Sequence, residues 1–186
     1  MEAGLRATDL VKRILAFSRH DEPQPVVCDI AALLGDAVEL LRQTVASTIS
    51  IDLKMSPTTG KIFADPVQIE SVVMNLVTNA VAAIGESTGH VAVDLDCRKP
   101  DASIDLAATE YACITVTDDG PGIAPNVMES IFNPFFTTKD VGQGTGLGLS
   151  VAEGIVKQHG GVIRARSEPG EGAQFEVYLP LHDVGA

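Results

Sequence analysis

The sequence is short of basic residues. Thirteen Lys and Arg face 25 Asp and Glu, a formal charge of −12 and a pI near 4.6. Nucleic-acid binders carry a basic footprint, so that class is excluded. The same deficit opposes anionic ligands at long range, so a nucleotide site needs local help from a cation or backbone dipoles. No apolar run reaches the roughly 20 residues of a bilayer span. The first residues, MEAGLRATDLVKRIL, lack the continuous apolar stretch of a signal peptide. A cytoplasmic segment without direct membrane contact is expected. Cysteine is scarce: Cys28, Cys97 and Cys113 are far apart, form no metal-ligand pattern and read as reduced thiols. Long repeats are missing too. What remains is globular: 45% hydrophobic residues suffice for a core, and 186 residues suit one main domain with at most an appendage.

Residues 1–20 read as a helix with a one-sided stripe of Leu5, Leu10, Val11, Ile14, Leu15 and Phe17. Pro23 and Pro25 break it into an extended linker, where the domain boundary is placed. VVCD is a short strand, and Asp29 caps a helix expected from Ile30 to about Ala46. ISIDLKM and KIFAD are strands. Asp65-Pro66 starts a helix that ends at Gly85. HVAVDLDCR and YACITVTDD are strands joined by a patternless loop. Residues 120–146, rich in Gly, Pro, Asn and Thr, read as a mobile loop. GLGLSVAEGIVKQHGG is a helix, and VIRARSE and AQFEVYLPL form a terminal hairpin. Strand–helix alternation is irregular, so the expected fold is an α/β two-layer sandwich with a mixed, mostly antiparallel sheet.

Asn75 and Asn79 stand four apart on one helix face. They are either satisfied boundary amides or carbonyl donors to Mg2+ and phosphate, since Mg2+ keeps several waters and needs few protein oxygens. Asp118 ends a strand ahead of Gly120 and Gly122. It is an acidic turn residue, or an acceptor for an exocyclic amino group such as adenine's. Phe132, Phe135 and Phe136 can pin the polar loop over a ligand or to the core. Lys139 is a phosphate partner or a solvated charge. The stretch DVGQGTGLGLS, Asp140–Ser150, spaces four glycines ahead of a helix. It lacks the Lys of a P-loop and the spacing of a dinucleotide fingerprint.

The order of these features is specific. It resembles the catalytic and ATP-binding domain of two-component sensor histidine kinases, in the superfamily that includes gyrase, heat-shock chaperone and mismatch-repair ATPases (the GHKL or Bergerat fold). Asn75 and Asn79 match the N box, Asp118, Gly120 and Gly122 the first glycine box, and Phe135–Phe136 the F box. Gly144, Gly146 and Gly148 match the second glycine box, and Gly170 and Gly172 the last. The likeness runs from about Val26 to Leu181. PFFTTK…GTGLGLS also resembles the short-lid subset found in nitrogen-regulatory and hybrid kinases.

The resemblance implies that Asp118 binds the adenine amino group and that Asn79, with Asn75, holds Mg2+ and phosphate oxygens of ATP. It implies a lid from Ile123 to Gln143, including Phe136, Thr138 and Lys139, and a phosphate cradle along Gly144, Thr145, Gly146, Leu147 and Gly148. Two departures stand out. The residues after Asn79 are apolar, without the basic residue frequent in the family, and Ala173 lacks a hydroxyl in the last box. Residues 1–22 resemble the end of the second helix of a dimerisation and phosphoacceptor hairpin. Residues 23–28 are linker and first strand, and 29–186 are the catalytic domain. His20, at a helix end beside Pro23, is misplaced for an acceptor, and His90, His159 and His182 read as structural or solvated. The expected function is transfer of the ATP γ-phosphoryl group to a histidine on a helix absent from this chain, within a homodimeric parent, for relay to a response-regulator receiver domain. The chain itself is expected to lack autophosphorylation. The alternatives are an ATP hydrolase and a non-catalytic nucleotide-binding module. Asn at position 75 cannot act as a general base for water, which favours the kinase.

Overall fold

The computed structural model describes residues 24–57, 60–102, 104–107, 109–138 and 144–182. The expected N-terminal helix, with His20, and Lys139 lie outside the described residues. Seven strands and four helices follow in chain order: β1 (Val26–Asp29), α1 (Ile30–Thr44), β2 (Ile49–Met55), β3 (Lys61–Ala64), α2 (Pro66–Ile84), β4 (Gly89–Arg98), β5 (Tyr111–Asp118), α3 (Pro125–Met128), α4 (Gly148–Gln158), β6 (Val162–Ser167) and β7 (Ala173–Pro180).

Both long helices begin where a carboxylate satisfies open backbone donors. Asp29 accepts from the Ala31 and Ala32 N–H groups, and Asp65 from those of Val67 and Gln68. Such caps contribute about 1 kcal/mol each. α2 ends at Gly85, whose φ of 71° suits glycine. α1 stops two residues short of the expected Ala46, because Val45 turns extended while its N–H still bonds the Leu41 carbonyl. α4 starts at Gly148, later than expected, because Gly146 has φ 64° and its carbonyl accepts from the Phe135 N–H at 2.9 Å.

The main sheet has five strands in the order β2-β4-β5-β7-β6. β2 pairs parallel with β4, and the other pairs are antiparallel. β1 and β3 form a separate antiparallel pair. The period of two puts Ala112, Ile114, Val116 and Asp118 on one face of β5 and Cys113 and Thr115 on the other. α1, α2 and α4 cover the first face, making the two-layer sandwich. α2 is long and apolar enough to cross a membrane by composition. Here, however, Ile69, Val72, Val73, Leu76, Val77 and Ala80 are buried in the core. The opposite face of the sheet carries polar residues and a second small cluster, where Ile104 from the long β4–β5 connection packs with Tyr111, Cys113 and Tyr178. Residues 120–146, expected as a mobile loop, contain α3 and a run of turns whose Ile131 is buried.

Candidate functional site

Asp118 ends the central strand, between Val91 of β4 and Ala173 of β7. Only 5% of it is exposed. The Gly120 N–H donates to its Oδ1 at 2.9 Å. Burial pushes its carboxyl above the ordinary range, backbone N–H groups of Gly120 and Ala173 offset part of that, and neighbouring Asp119 adds to it. Among the described residues no cation pairs with Asp118.

The glycines around it are close-approach positions. A Cβ on Gly122, where φ is 72°, would overlap the Glu168 carbonyl oxygen, and one on Gly172, where φ is 76°, would overlap the Asp118 carbonyl oxygen. The first and last glycine boxes thus pack backbone on backbone. Ser167 stitches them: its hydroxyl donates to the Gly172 carbonyl at 2.5 Å and accepts from the Ile123 N–H at 2.8 Å. Ser167 faces Ala173 in register, so it supplies a hydroxyl beside the position where the last box lacks one. The sequence reading missed Ser167. Its distance from that box, fixed by the tight β6–β7 turn, was the available signal.

Asn75 and Asn79 are both partly buried on α2. The start of α4 abuts them: a Cβ on Gly148 would sit 3.2 Å from Asn75 Oδ1 and 3.5 Å from Asn79 Nδ2. Leu147, the N-cap of α4, makes no side-chain capping bond. The helix therefore presents its positive dipole end beside the two carboxamides.

These parts enclose a cavity of about 340 Å3. That lies within the size range of small-molecule sites. Asp118, Ala173 and Phe175 form its floor, and Asn75, Thr78, Asn79 and Ala83 its α2 wall. Gly122, Ile123, Val127, Ile131, Phe136 and Thr138 line the lid side, and Gly144, Thr145, Gly146 and Gly148 the far rim. Two of the expected site residues stand back from it. Gly120 supports Asp118, and the Leu147 side chain is buried. Of the phenylalanines, Phe132 and Phe136 pack against the core. Phe135 does not pin the loop: it is 73% exposed, with φ 67°. Its backbone does the holding, through the bond to Gly146.

No Lys, Arg or His lines the cavity among the described residues. Nor do the described residues hold a cluster of three or more His, Cys, Asp or Glu fit for a metal. The two carboxamide oxygens fit a cation that brings most of its own ligands as water and phosphate, and fit poorly a metal held by protein alone. A larger cavity, about 450 Å3, lies on the opposite sheet face among Lys54, Asp94, Asp96, Arg98, Thr115 and Gln174. Arg98 there is already engaged with Asp96 and Glu176.

Residues 64–183 match the family model described as histidine kinase-, DNA gyrase B-, and HSP90-like ATPase. The chain is 40% identical over 179 residues to the sensor kinase CckA of Brucella abortus (strain 2308), covering 94% of this chain and 19% of that protein. Among solved structures, the nucleotide-free catalytic domain of histidine kinase ThkA matches with a TM-score of 0.70 at 28% identity, covering 85% of this chain and 96% of that one. Full-length ShkA in complex with AMPPNP matches with a TM-score of 0.79 at 28% identity, covering 100% of this chain and 38% of that one. The chain thus spans about a fifth of the curated relative's length.

Proposed function

Because the chain belongs to the histidine kinase-, DNA gyrase B-, and HSP90-like ATPase family, as an ATP-binding catalytic domain of the sensor histidine kinase kind, we propose that it delivers the γ-phosphoryl group of ATP to a histidine on a dimerisation hairpin of its parent kinase. The observation that carries this reading is Asp118. It is a buried carboxylate with no counter-cation among the described residues, at the floor of a cavity whose other end is a helix N-terminus flanked by two carboxamides. A ligand with an amino group at one end and phosphates at the other complements that polarity. The AMPPNP bound by the ShkA neighbour is such a molecule.

In this reading Asp118 accepts from the adenine amino group, and Thr138 and Phe136 hold the lid side. The α4 N-terminus and the backbone at Gly144, Thr145 and Gly146 receive the phosphates. Asn75 and Asn79 hold Mg2+, which neutralises phosphate charge when bound. Lys139, by its sequence position toward the end of the lid, is assigned as a γ-phosphate partner. The lid is of the short kind. The protein chemistry is positioning and electrostatics rather than covalent catalysis. The parent is a cytoplasmic homodimer-forming kinase that relays the phosphoryl group to a receiver domain. A hydrolase reading is weaker, because Asn75, the polar group beside the helix N-terminus, cannot take a proton from water.

The test combines the chain with MgATP and a separately made histidine-bearing acceptor hairpin. Acid-labile, base-stable labelling of the hairpin is expected. Rapid phosphate release without labelling would replace this reading with the hydrolase.

A further inference from the structure

At the end of α4 away from the cavity, the His159 ring spans two helices. Its Nε2 lies 3.0 Å from the Asp65 backbone nitrogen, and its Nδ1 lies 2.9 Å from the Ile155 carbonyl oxygen. A backbone N–H can only donate, so Nε2 must be the bare nitrogen and Nδ1 must carry the proton that Ile155 accepts. The ring therefore joins the last turn of α4 to the residue that caps α2. Asp65 has a second engagement: its Oδ2 accepts from the Gln24 N–H at 2.9 Å. Gln24 lies in the linker just ahead of β1. One residue thus receives the linker through its carboxylate and α4 through its backbone.

α4 runs antiparallel to α2, with Gly148 against Asn75 and Asn79 at one end and His159 against Asp65 at the other. Two fixed ends set the axial position of an 11-residue helix. We propose that His159 is a positioning residue that couples the linker at Gln24, through Asp65 and the length of α4, to the phosphate end of the nucleotide cavity. The proposal rests on the nucleotide-binding reading above. A shift of Asp65 moves the N–H donor that registers α4 through His159 Nε2. A shift of α4 in turn moves the helix N-terminus that faces the phosphates. By linkage the influence runs both ways: nucleotide binding tightens the Asp65–His159 bond to the extent that this bond favours the binding position.

The test measures two quantities on the full chain, AMPPNP·Mg2+ affinity by calorimetry and hydrogen exchange of the Asp65 amide with and without that ligand. His159→Phe keeps a ring of similar size and removes the acceptor. His159→Gln offers an amide oxygen near the place of Nε2. In the unsubstituted protein, nucleotide is expected to slow Asp65 exchange. His159→Phe should weaken binding by about fivefold, the low end of ordinary coupling, and abolish the nucleotide effect on Asp65 exchange. His159→Gln should restore part of both. Nitrogen chemical shifts should show a protonated Nδ1 and a bare Nε2. If His159→Phe folds and binds with unchanged affinity, or if nucleotide leaves Asp65 exchange unaltered in a chain that binds it, the coupling is wrong. Failure of the unsubstituted chain to bind AMPPNP would instead overturn the nucleotide reading itself.

Discussion

Asp118 and Glu176 are both carboxylates buried to 5% exposure or less, on adjacent strands of the same sheet, yet they face opposite ways. Glu176 belongs to the polar face. Arg98 bonds its Oε1 at 2.9 Å, and Arg166 approaches its Oε2 at 3.7 Å. The same Arg98 Nη2 bonds Thr115 Oγ1 and Cys113 Sγ and stands over the Tyr178 ring. That network supplies Glu176 with its counter-charge from within the fold. Asp118 belongs to the helix face, in phase with Ile114 and Val116, and among the described residues it receives only backbone N–H groups. A buried charge satisfied by the fold's own cations is structural. One held ready with backbone donors alone and a cavity in front of it is available to a ligand.

The sharpest way to break this contrast is at Gly172, whose backbone touches Asp118. Gly172→Ala meets both a positive φ and the Asp118 carbonyl. It should cost about 3 kcal/mol or more in urea unfolding and displace the cavity floor as well. Next is Asp118→Asn. ATP affinity by calorimetry should fall roughly 100-fold, the scale of a lost charge-assisted hydrogen bond. Stability at neutral pH should hold or rise, since an ionised buried group is removed. The sign follows from the raised folded-state pKa. The folded chain holds the Asp118 proton more tightly than the unfolded chain, so the unsubstituted protein gains stability as pH falls through that raised value toward about 3.8, and loses it as pH rises. The Asn variant should lack this component.

Glu176→Gln should do the reverse. Stability should drop by about 1–2 kcal/mol, discounted because Arg98 is partly solvated, while ATP affinity stays unchanged. A large affinity loss in Glu176→Gln would end the distinction between the two carboxylates. Smallest is Phe135→Ser. Its side chain is exposed, so unfolding should move by less than about 0.5 kcal/mol. Phe136→Ser, at the cavity wall, should weaken ATP binding and cost more stability.

Much of this was legible in the sequence. Local cues marked both long helices, because the Asp caps, and the Pro at the first turn of α2, act within four residues. Period-two alternation marked the strands. Most of the residues that line the cavity could be named from the resemblance that their order carries. The sequence left Asp118 as an acidic turn residue or an acceptor; its burial followed from the strand, which puts it in phase with Ile114 and Val116. Phe135 misled, because a Phe-rich loop says nothing about which ring turns outward, and its positive φ comes from the backbone bond to Gly146. Ser167 was legible only through the expected terminal hairpin, whose short turn brings the end of β6 beside the last glycine box.

What the chain order determined, then, is the set of elements and most of the residues that line the cavity, since caps, turns and alternation are short-range chemistry and the boxes follow one another in order. Tertiary structure alone decided the rest. It placed β2 parallel to β4, brought Gly122 against Gly172, put Gly148 beside Asn75 and Asn79, and set His159 on Asp65, 94 residues away. Each of those contacts joins distant segments with a backbone group on at least one side, and backbone groups carry no residue-specific signal, so no local pattern announces them; sheet pairing and the packing of α4 along α2 bring them into reach.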